Sequence, residues 1–112
     1  MFIEKGETTS CSDKVYQRYY FYIDGIKIGR CILITYKDNN EVFLSDFVLE
    51  EQFQNKGYGT EILKKLISDY SLNSLSVDTD NLRAIHIYEK VGFEKIKVFR
   101  EVYKERFYMR RT

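Results

Sequence analysis

The stretch QNKGYGTEILKKLI (Gln54–Ile67) places two glycines directly before a helical pattern. The pattern is one apolar stripe with the spacing of a helix face, formed by Ile62, Leu63, Leu66, Ile67 and Tyr70. Glycine leaves room for a tight turn or for a ligand that approaches the main chain. The first N–H groups of a helix have no partners within the helix and attract anions. The stretch, which fits neither GxxxxGK[ST] nor GxGxxG, therefore forms either a plain turn into a helix or a phosphate-binding loop.

Three antiparallel strands are predicted before this loop, over Val15–Ile23, Ile26–Tyr36 and Glu41–Leu49. Asp24 and Gly25 between the first two strands indicate a two-residue hairpin, because both residues tolerate positive φ. In the second strand, alternation places four isoleucines on one face, namely Ile26, Ile28, Ile32 and Ile34. A further short strand can be formed by Met1–Glu4.

The segment after the first helix predicts a strand, a helix and two more strands. SLSVD (Ser74–Asp78) reads as a short buried strand. The second helix lies in TDNLRAIHIYEKV (Thr79–Val91), with Thr79, Asp80 or Asn81 as its N-cap and Gly92 just past its end. The last two strands span about Lys95–Val102 and Arg106–Arg111. The order β-β-β-α-β-α-β-β predicts an α+β fold, one domain over residues 1–112, with helices packed on a mixed central sheet.

The composition argues against several classes of function. The chain has 112 residues, a net charge of +1 and no polybasic run, so no nucleic-acid partner is expected. The single histidine, His86, and the two cysteines, Cys11 and Cys31, lack the spacing of a metal site. No segment reaches the ~18 apolar residues that would span a bilayer, and the N-terminus has no apolar signal core. We therefore expect a cytoplasmic protein with reduced thiols, no metal and no membrane partner.

A second motif, NLRAIHIYEKVGF (Asn81–Phe93), follows the predicted fourth strand. Together the two segments resemble the GNAT superfamily of acyl-CoA-dependent N-acetyltransferases. Its signature is Q/R-x-x-G-x-G/A at the start of one helix and N-x-x-A-x-x-x-Y-x-x-x-G-F at the next. The matching residues are Gln54, Gly57 and Gly59 in the first motif, and Asn81, Ala84, Tyr88, Gly92 and Phe93 in the second. The ending FYMRR also looks like the last strand of that family, so the resemblance covers about Val15 to Arg111.

The resemblance implies a binding site for acetyl-CoA, the acyl-donor cosubstrate. The pyrophosphate would be cradled by the backbone N–H groups of Gln54, Asn55, Lys56, Gly57, Tyr58, Gly59 and Thr60. Pantetheine would enter a gap between the third predicted strand and the strand that follows the first helix. There it would pair with the backbone of Val48 and Leu49, and one such N–H would polarise the thioester carbonyl. Asn81 would lie near the pantetheine arm.

The resemblance also implies an acid and a base. Tyr88 would protonate the leaving thiolate, although composition alone makes it one more core aromatic. A base or a proton-relaying water is needed because an amine with a pKa of about 10.4 is almost fully protonated at pH 7. The family often uses a carboxylate on the strand before the glycine loop, for which Glu41 and Asp46 are the candidates. They lie five residues apart and face opposite sides of a regular strand, so at most one serves; we favour Glu41, and a β-bulge would change that parity.

The acceptor half of the family pattern is reduced in this sequence. GNAT domains usually carry two helices between their first two strands, and these help to form the acceptor pocket. Only Gly6–Lys14 is available here, which is too short for two helices. The missing wall would come from the second subunit of a homodimer, from the N-terminal loop, or from nothing. We expect direct transfer of acetyl to the primary amine of a small molecule or peptide in a ternary complex; the alternative is a non-catalytic acyl-CoA-binding or interaction module on the same fold.

Overall fold

The computed structural model describes residues 1–111, which form seven strands and two α-helices. The strands before the glycine loop are β1 (Phe2–Ser10), β2 (Lys14–Ile23), β3 (Ile26–Tyr36) and β4 (Val42–Leu49). A short 3₁₀ turn (Glu51–Phe53) leads to the loop, and the remaining elements are α1 (Tyr58–Tyr70), β5 (Ser74–Asp78), α2 (Leu82–Lys90), β6 (Phe93–Glu101) and β7 (Lys104–Arg111). None of the helices in this part of the chain is long and apolar enough to cross a membrane.

All strands join one sheet in the order β1-β2-β3-β4-β5-β7-β6. Neighbouring strands are antiparallel except β4 and β5, which are parallel because α1 carries the chain back along the sheet. The predicted mixed sheet and its element order are confirmed, with one more full strand at the start than the predicted order contains.

The core lies on one face of the sheet, under both helices. A row of apolar side chains crosses four adjacent strands at matched register, where Leu33 pairs with Leu44, Leu44 with Leu75, and Leu75 with Met109. The helices cover this row with buried side chains that belong to the same cluster, namely Ile62, Leu63 and Leu66 of α1 and Ile85 of α2. The prediction that the helices pack on the sheet is therefore confirmed.

The first strand is longer than predicted. β1 extends to Ser10 instead of ending at Glu4, and it pairs with β2 across a short turn. A bulge divides it, and the buried side chain of Gln17 stabilises the bulge by donating hydrogen bonds to the carbonyl oxygens of Gly6 (2.9 Å) and Glu7 (3.3 Å). The sequence of β1 is polar and by itself gives little indication of a strand. Pairing with β2 stabilises the strand nevertheless. No helix lies between β1 and β2, as expected from the length of the segment.

The predicted isoleucine face of β3 is wrong. A bulge between β2 and β3 shifts the register next to Phe21, so residues before and after it have opposite parity. Ile28 is fully buried in the core, whereas Ile32 and Ile34 lie on the other face, opposite Arg18 and Tyr16. Ile26 is exposed, and the remaining core positions of β3 are occupied by Cys31 and Leu33.

Candidate active site

The site begins where the two parallel strands separate. β4 and β5 are paired only at Phe43 with Ser74 and at Leu44 with Leu75, although both strands continue beyond these residues. β4 then bulges at Asp46, whose φ of 52° lies in the left-handed region. The resulting gap opens toward the carboxyl ends of both strands, which is the edge where parallel strands usually present ligand sites.

A cavity of about 290 Å³ lies over this gap on the helix side. Its apolar walls come from the end of β4, from α1 and from α2, and include Phe47, Leu49, Leu63, Ala84 and Ile87. Its polar rim comes from the glycine loop and the start of each helix, and includes Gln54, Asn55, Thr60, Asn81 and Arg83. A long ligand with one charged end and one apolar arm fits this distribution of surfaces.

A second opening reaches the gap from the opposite sheet face. Ser76, Asp78 and Arg106 line it, and they alternate with the core residues of β5 and β7. Arg106 is held in place by Asp78, with a distance of 2.6 Å between Nη1 and Oδ1. Phe47, Asn81 and Tyr88 line both cavities, so the two openings meet at these residues.

The two glycines of the loop have different roles in the fold. Gly57 is the N-cap of α1 with φ of 86°, a conformation that other residues adopt only with strain. Gly59 lies inside the first turn, where an added Cβ would meet the Leu49 side chain at an ordinary 3.8 Å. Asn55 also has positive φ, at 63°. Gly57 is therefore required by the turn, whereas Gly59 is not.

The loop presents unpaired backbone donors to the cavity. No described residue accepts a hydrogen bond from the backbone N–H groups of residues 55–60. Gly57 supplies no capping side chain, so these donors and the helix dipole remain available to an anion. The side-chain amide of Gln54 donates to the carbonyl oxygen of Leu49 (2.9 Å) and thus ties the loop to the end of β4.

Asn81 is the N-cap of α2, one of the three candidates that the sequence offered. Its Oδ1 accepts a hydrogen bond from the backbone N–H of Ala84 (3.2 Å). Within the described residues its Nδ2 donates no hydrogen bond, and the residue lines both cavities. Asn81 therefore combines a structural role in α2 with a free amide donor at the gap.

Tyr88 lies on the face of α2 that contacts both cavities. Its ring packs edge-on against Phe93, with the ring centroids 6.2 Å apart. Burial raises the pKa of Tyr88 to about 12, although Arg106 opposes that effect. The hydroxyl is therefore fully protonated at neutral pH and is available as a hydrogen-bond donor.

The structure separates the two candidate bases. Asp46 lines the second opening, is half exposed, and lies 3.9 Å from the guanidinium of Arg30. Glu41 lies at the other end of β4, roughly 16 Å away along the strand, where its carboxylate accepts hydrogen bonds from Ser74 and Tyr108. Glu41 is not among the residues that line either cavity.

The remaining predicted cofactor residues divide into two groups. Val48 lines the second opening, and its backbone is closely approached by Gly29 of the neighbouring strand. Lys56 and Tyr58 line neither cavity, and the Tyr58 ring packs against Phe53 instead. Their backbone N–H groups still belong to the loop described above.

Sequence reasoning missed Arg83 and Gly29. Arg83 lines the same rim as the glycine loop and provides a cation there. Its position between the matched Asn81 and Ala84 was the available signal. Gly29 had no such signal, because its closeness to Val48 depends on strand register. The described residues contain no group of three or more His, Cys, Asp and Glu side chains that could hold a metal.

Comparisons with known proteins agree with this geometry. The chain is 36% identical over 62 residues to the spermine/spermidine N(1)-acetyltransferase of Bacillus subtilis, covering 50% of this chain and 41% of that protein. It is 31% identical over 88 residues to the spermidine N(1)-acetyltransferase of Escherichia coli K12, covering 72% of this chain and 47% of that protein. The chain thus spans about half the length of the curated relatives it matches.

The fold is also shared with a solved structure. Naa50 of Arabidopsis thaliana in complex with the bisubstrate analogue CoA-Ac-MVNAL superposes with a TM-score of 0.75 at 19% identity. The match covers 85% of this chain and 72% of that chain. At this identity the likeness concerns the fold alone. The sequence model of the Acetyltransferase (GNAT) family matches residues 4–93, and with the divided parallel strands and the glycine loop before α1 this places the chain in the GNAT family of acetyltransferases.

Proposed function

We propose that this chain is an acyl-CoA-dependent N-acetyltransferase. The observation that carries the proposal is the continuity between a loop of unpaired backbone donors and the gap beside Tyr88. The first feature suits a pyrophosphate and the second suits a reactive group at the end of a long arm. Family membership supports the same activity.

The residues of the cavity fit coenzyme A. The unpaired N–H groups of residues 55–60, with Arg83 beside them, would hold the pyrophosphate, whereas the backbone N–H of Gln54 already donates to the carbonyl oxygen of Glu51 (3.2 Å). The apolar walls formed by Phe47, Leu63 and Ile87 would cover pantetheine, with Val48 and Leu49 offering backbone groups along it. When bound, acetyl-CoA supplies an acetyl group activated as a thioester.

Tyr88 would act on the sulfur side of the reaction. Its hydroxyl carries a proton at neutral pH and lines both cavities, so it would donate a hydrogen bond to the sulfur and assist departure of the thiol. A pKa of about 12 makes complete loss of that proton unfavourable. Tyr88 would therefore keep its proton and act as a hydrogen-bond donor that stabilises the leaving thiolate, which takes its own proton from solvent.

Asp46 is the better of the two candidate bases. It lines the opening that faces away from the helices, which leaves the helix-side cavity to the cofactor. From there it would accept the ammonium proton directly or through water. Glu41 lies at the closed end of the gap, where β4 and β5 are paired, and its carboxylate accepts hydrogen bonds there from Ser74 and Tyr108. It is therefore too far along β4 for this role.

The acceptor would be a primary amine that reaches the gap from the second opening. Relatives named as spermidine and spermine acetyltransferases make a polyamine the first acceptor to test, and the bisubstrate analogue bound to Naa50 makes a peptide amine the second. Attack by the amine in a complex that contains both substrates needs no nucleophile from the chain.

A second candidate is a non-catalytic acyl-CoA-binding module. The observation that favours it is the sheet face opposite the core. Neither described helix packs on that face, so no helix there forms a wall for an acceptor pocket. Such a module would bind acetyl-CoA and turn over no amine.

Calorimetric titration with acetyl-CoA tests the proposal, with Gly57→Glu as the blocked variant. We expect binding to the native chain and none to the variant, because a carboxylate in the loop repels phosphate. Thiol release is then measured with spermidine, spermine and peptide amines. Binding without release for any amine would support the non-catalytic module, and absence of binding would refute both.

A further inference from the structure

One carboxylate oxygen joins three elements at the closed end of the gap. Oε2 of Glu41 accepts hydrogen bonds from Oγ of Ser74 (2.6 Å) and from the hydroxyl of Tyr108 (2.7 Å). Glu41 immediately precedes β4, Ser74 is the first residue of β5, and Tyr108 lies in β7. We call this pair of hydrogen bonds the bridge. One of its partners, Ser74, is completely buried.

The bridge lies where the strand ladder itself is weakest. β4 and β5 share only two residue pairs, beginning at Phe43 with Ser74. Asn73 adds a second tie, because its N–H donates to the carbonyl oxygen of Val42 and its side-chain oxygen accepts from the N–H of Val42, each at 3.1 Å. Side chains therefore strengthen the junction from which the two strands diverge.

The chemistry of the bridge suits a rigid junction. Hydrogen bonds to an ionised carboxylate are shorter and stronger than neutral ones. Burial and the bond to Glu41 both raise the pKa of Tyr108, so its hydroxyl stays protonated and keeps donating at neutral pH. Tyr108 is also held by the pairing of β7 with β5, opposite Ser76.

We propose that Glu41 is a positioning residue which, through Ser74 and Tyr108, fixes the width of the gap that admits pantetheine. The inference rests on the proposed function, since it concerns the acyl-CoA gap. It assigns Glu41 to the junction in place of the role of base. Loosening the bridge lets β4 and β5 change their separation at the open end, while the glycine loop stays intact.

Two ligands distinguish binding in the gap from binding at the glycine loop. Acetyl-CoA uses both, whereas 3′-phospho-ADP, its nucleotide half without pantetheine, uses the loop alone. Tyr108→Phe removes one of the two hydrogen bonds to Glu41, and Glu41→Ala removes both. For each variant we expect the Kd of acetyl-CoA to rise about tenfold or more, because fewer molecules hold the gap at the width that pantetheine needs. The Kd of 3′-phospho-ADP should stay within twofold of that of the native chain.

A matched control exists on the same sheet. The hydroxyl of Tyr22 donates to Oε1 of Glu4 (3.1 Å) far from the gap, so Tyr22→Phe removes the same kind of bond. It should alter neither Kd. Equal weakening of both ligands in Tyr108→Phe, or no weakening of either, would overturn the proposal.

Glu41→Gln separates positioning from base catalysis. A single amide oxygen can accept both hydrogen bonds that Oε2 now accepts, but an amide cannot take a proton. We expect kcat and the KM for acetyl-CoA within about threefold of native, against a loss of roughly 10² or more in kcat for a true base. If the native chain binds neither ligand, the proposed function fails and this inference with it. If the native chain binds both ligands and Tyr108→Phe and Glu41→Ala bind acetyl-CoA as tightly as it does, only this inference fails.

Discussion

The side-chain nitrogen of Gln54 lies 2.9 Å from the carbonyl oxygen of Leu49, so the glycine loop is tied to the end of β4 by a single side-chain bond. Gln54→Glu replaces this donor with a carboxylate that repels both the carbonyl and a phosphate. We expect acetyl-CoA affinity to fall by at least tenfold and the free energy of unfolding to change little, because Gln54 is exposed. The measurement is calorimetry beside chemical denaturation. Gln52→Glu adds the same charge nearby, at an exposed residue that lines neither cavity, and should leave affinity within about threefold.

Alanine at the two loop glycines should have opposite effects on stability. Gly57→Ala forces a side chain into left-handed backbone and should lower the free energy of unfolding by about 1–2 kcal/mol. Gly59→Ala adds a methyl group that makes an ordinary contact with the Leu49 side chain in the first helical turn, and it should raise the free energy of unfolding by up to about 1 kcal/mol. Urea denaturation of both variants measures these changes in the free energy of unfolding. A Gly57→Ala protein as stable as the native chain would contradict the assigned role of that glycine.

Tyr88 should contribute to kcat, and this contribution should not fall with pH near 10, where an ordinary tyrosine loses its proton. A donor must be protonated, so its contribution is present below its pKa and is lost as the pH rises through that value. With a pKa of about 12, no loss of kcat due to Tyr88 is expected between pH 8 and 10. Tyr88→Phe should lower kcat by roughly 10²–10⁴ and leave KM nearly unchanged.

The control for Tyr88 is Tyr70→Phe, which removes a hydroxyl from a tyrosine packed against Tyr19, away from both cavities. It should retain native kcat. A Tyr88→Phe variant with full turnover would remove the assignment of Tyr88 as donor.

Gly29 should tolerate alanine less well than Gly6 does. A Cβ on Gly29 would collide with the carbonyl oxygen of Val48, which is backbone held in β4. A Cβ on Gly6 would meet the ring of Tyr20, a side chain that can move aside. We expect Gly29→Ala to cost about 1–3 kcal/mol and to weaken acetyl-CoA binding through Val48. Thermal unfolding of the two variants tests this, and equal costs would show that β4 yields as easily as the tyrosine ring.

The elements that could be predicted from sequence are those with local signals. The hairpin at Asp24 and Gly25, the cap at Asn81 and the helix after Gly57 depend on neighbouring residues, and the structure has all three. The family motifs added the location of the cavity, because residues from both motifs line it.

The features that were missed depend on strand register. Bulges in β1, β3 and β4 arise from pairing between strands and leave no local pattern. The bulge in β3 reversed the predicted isoleucine face, and pairing with β2 on both sides of a bulge made the first strand longer than predicted. The choice of Glu41 failed to anticipate that its carboxylate is occupied by Ser74 and Tyr108, residues that follow it by 33 and 67 positions.

The short pairing of β4 with β5 also has a consequence for how the chain folds. β1–β4 form a meander and β6–β7 a hairpin, so each unit is built from contacts between sequence neighbours, which close quickly. The parallel seam between β4 and β5, which joins the meander to the rest of the sheet, brings together strands that are separated in the chain by the whole of α1, and it has the fewest paired residues. We therefore expect the free energy of opening, measured by amide hydrogen exchange, to be lower along this seam than in the meander. A ligand that binds between β4 and β5 should slow this exchange, because it contacts both sides of the seam.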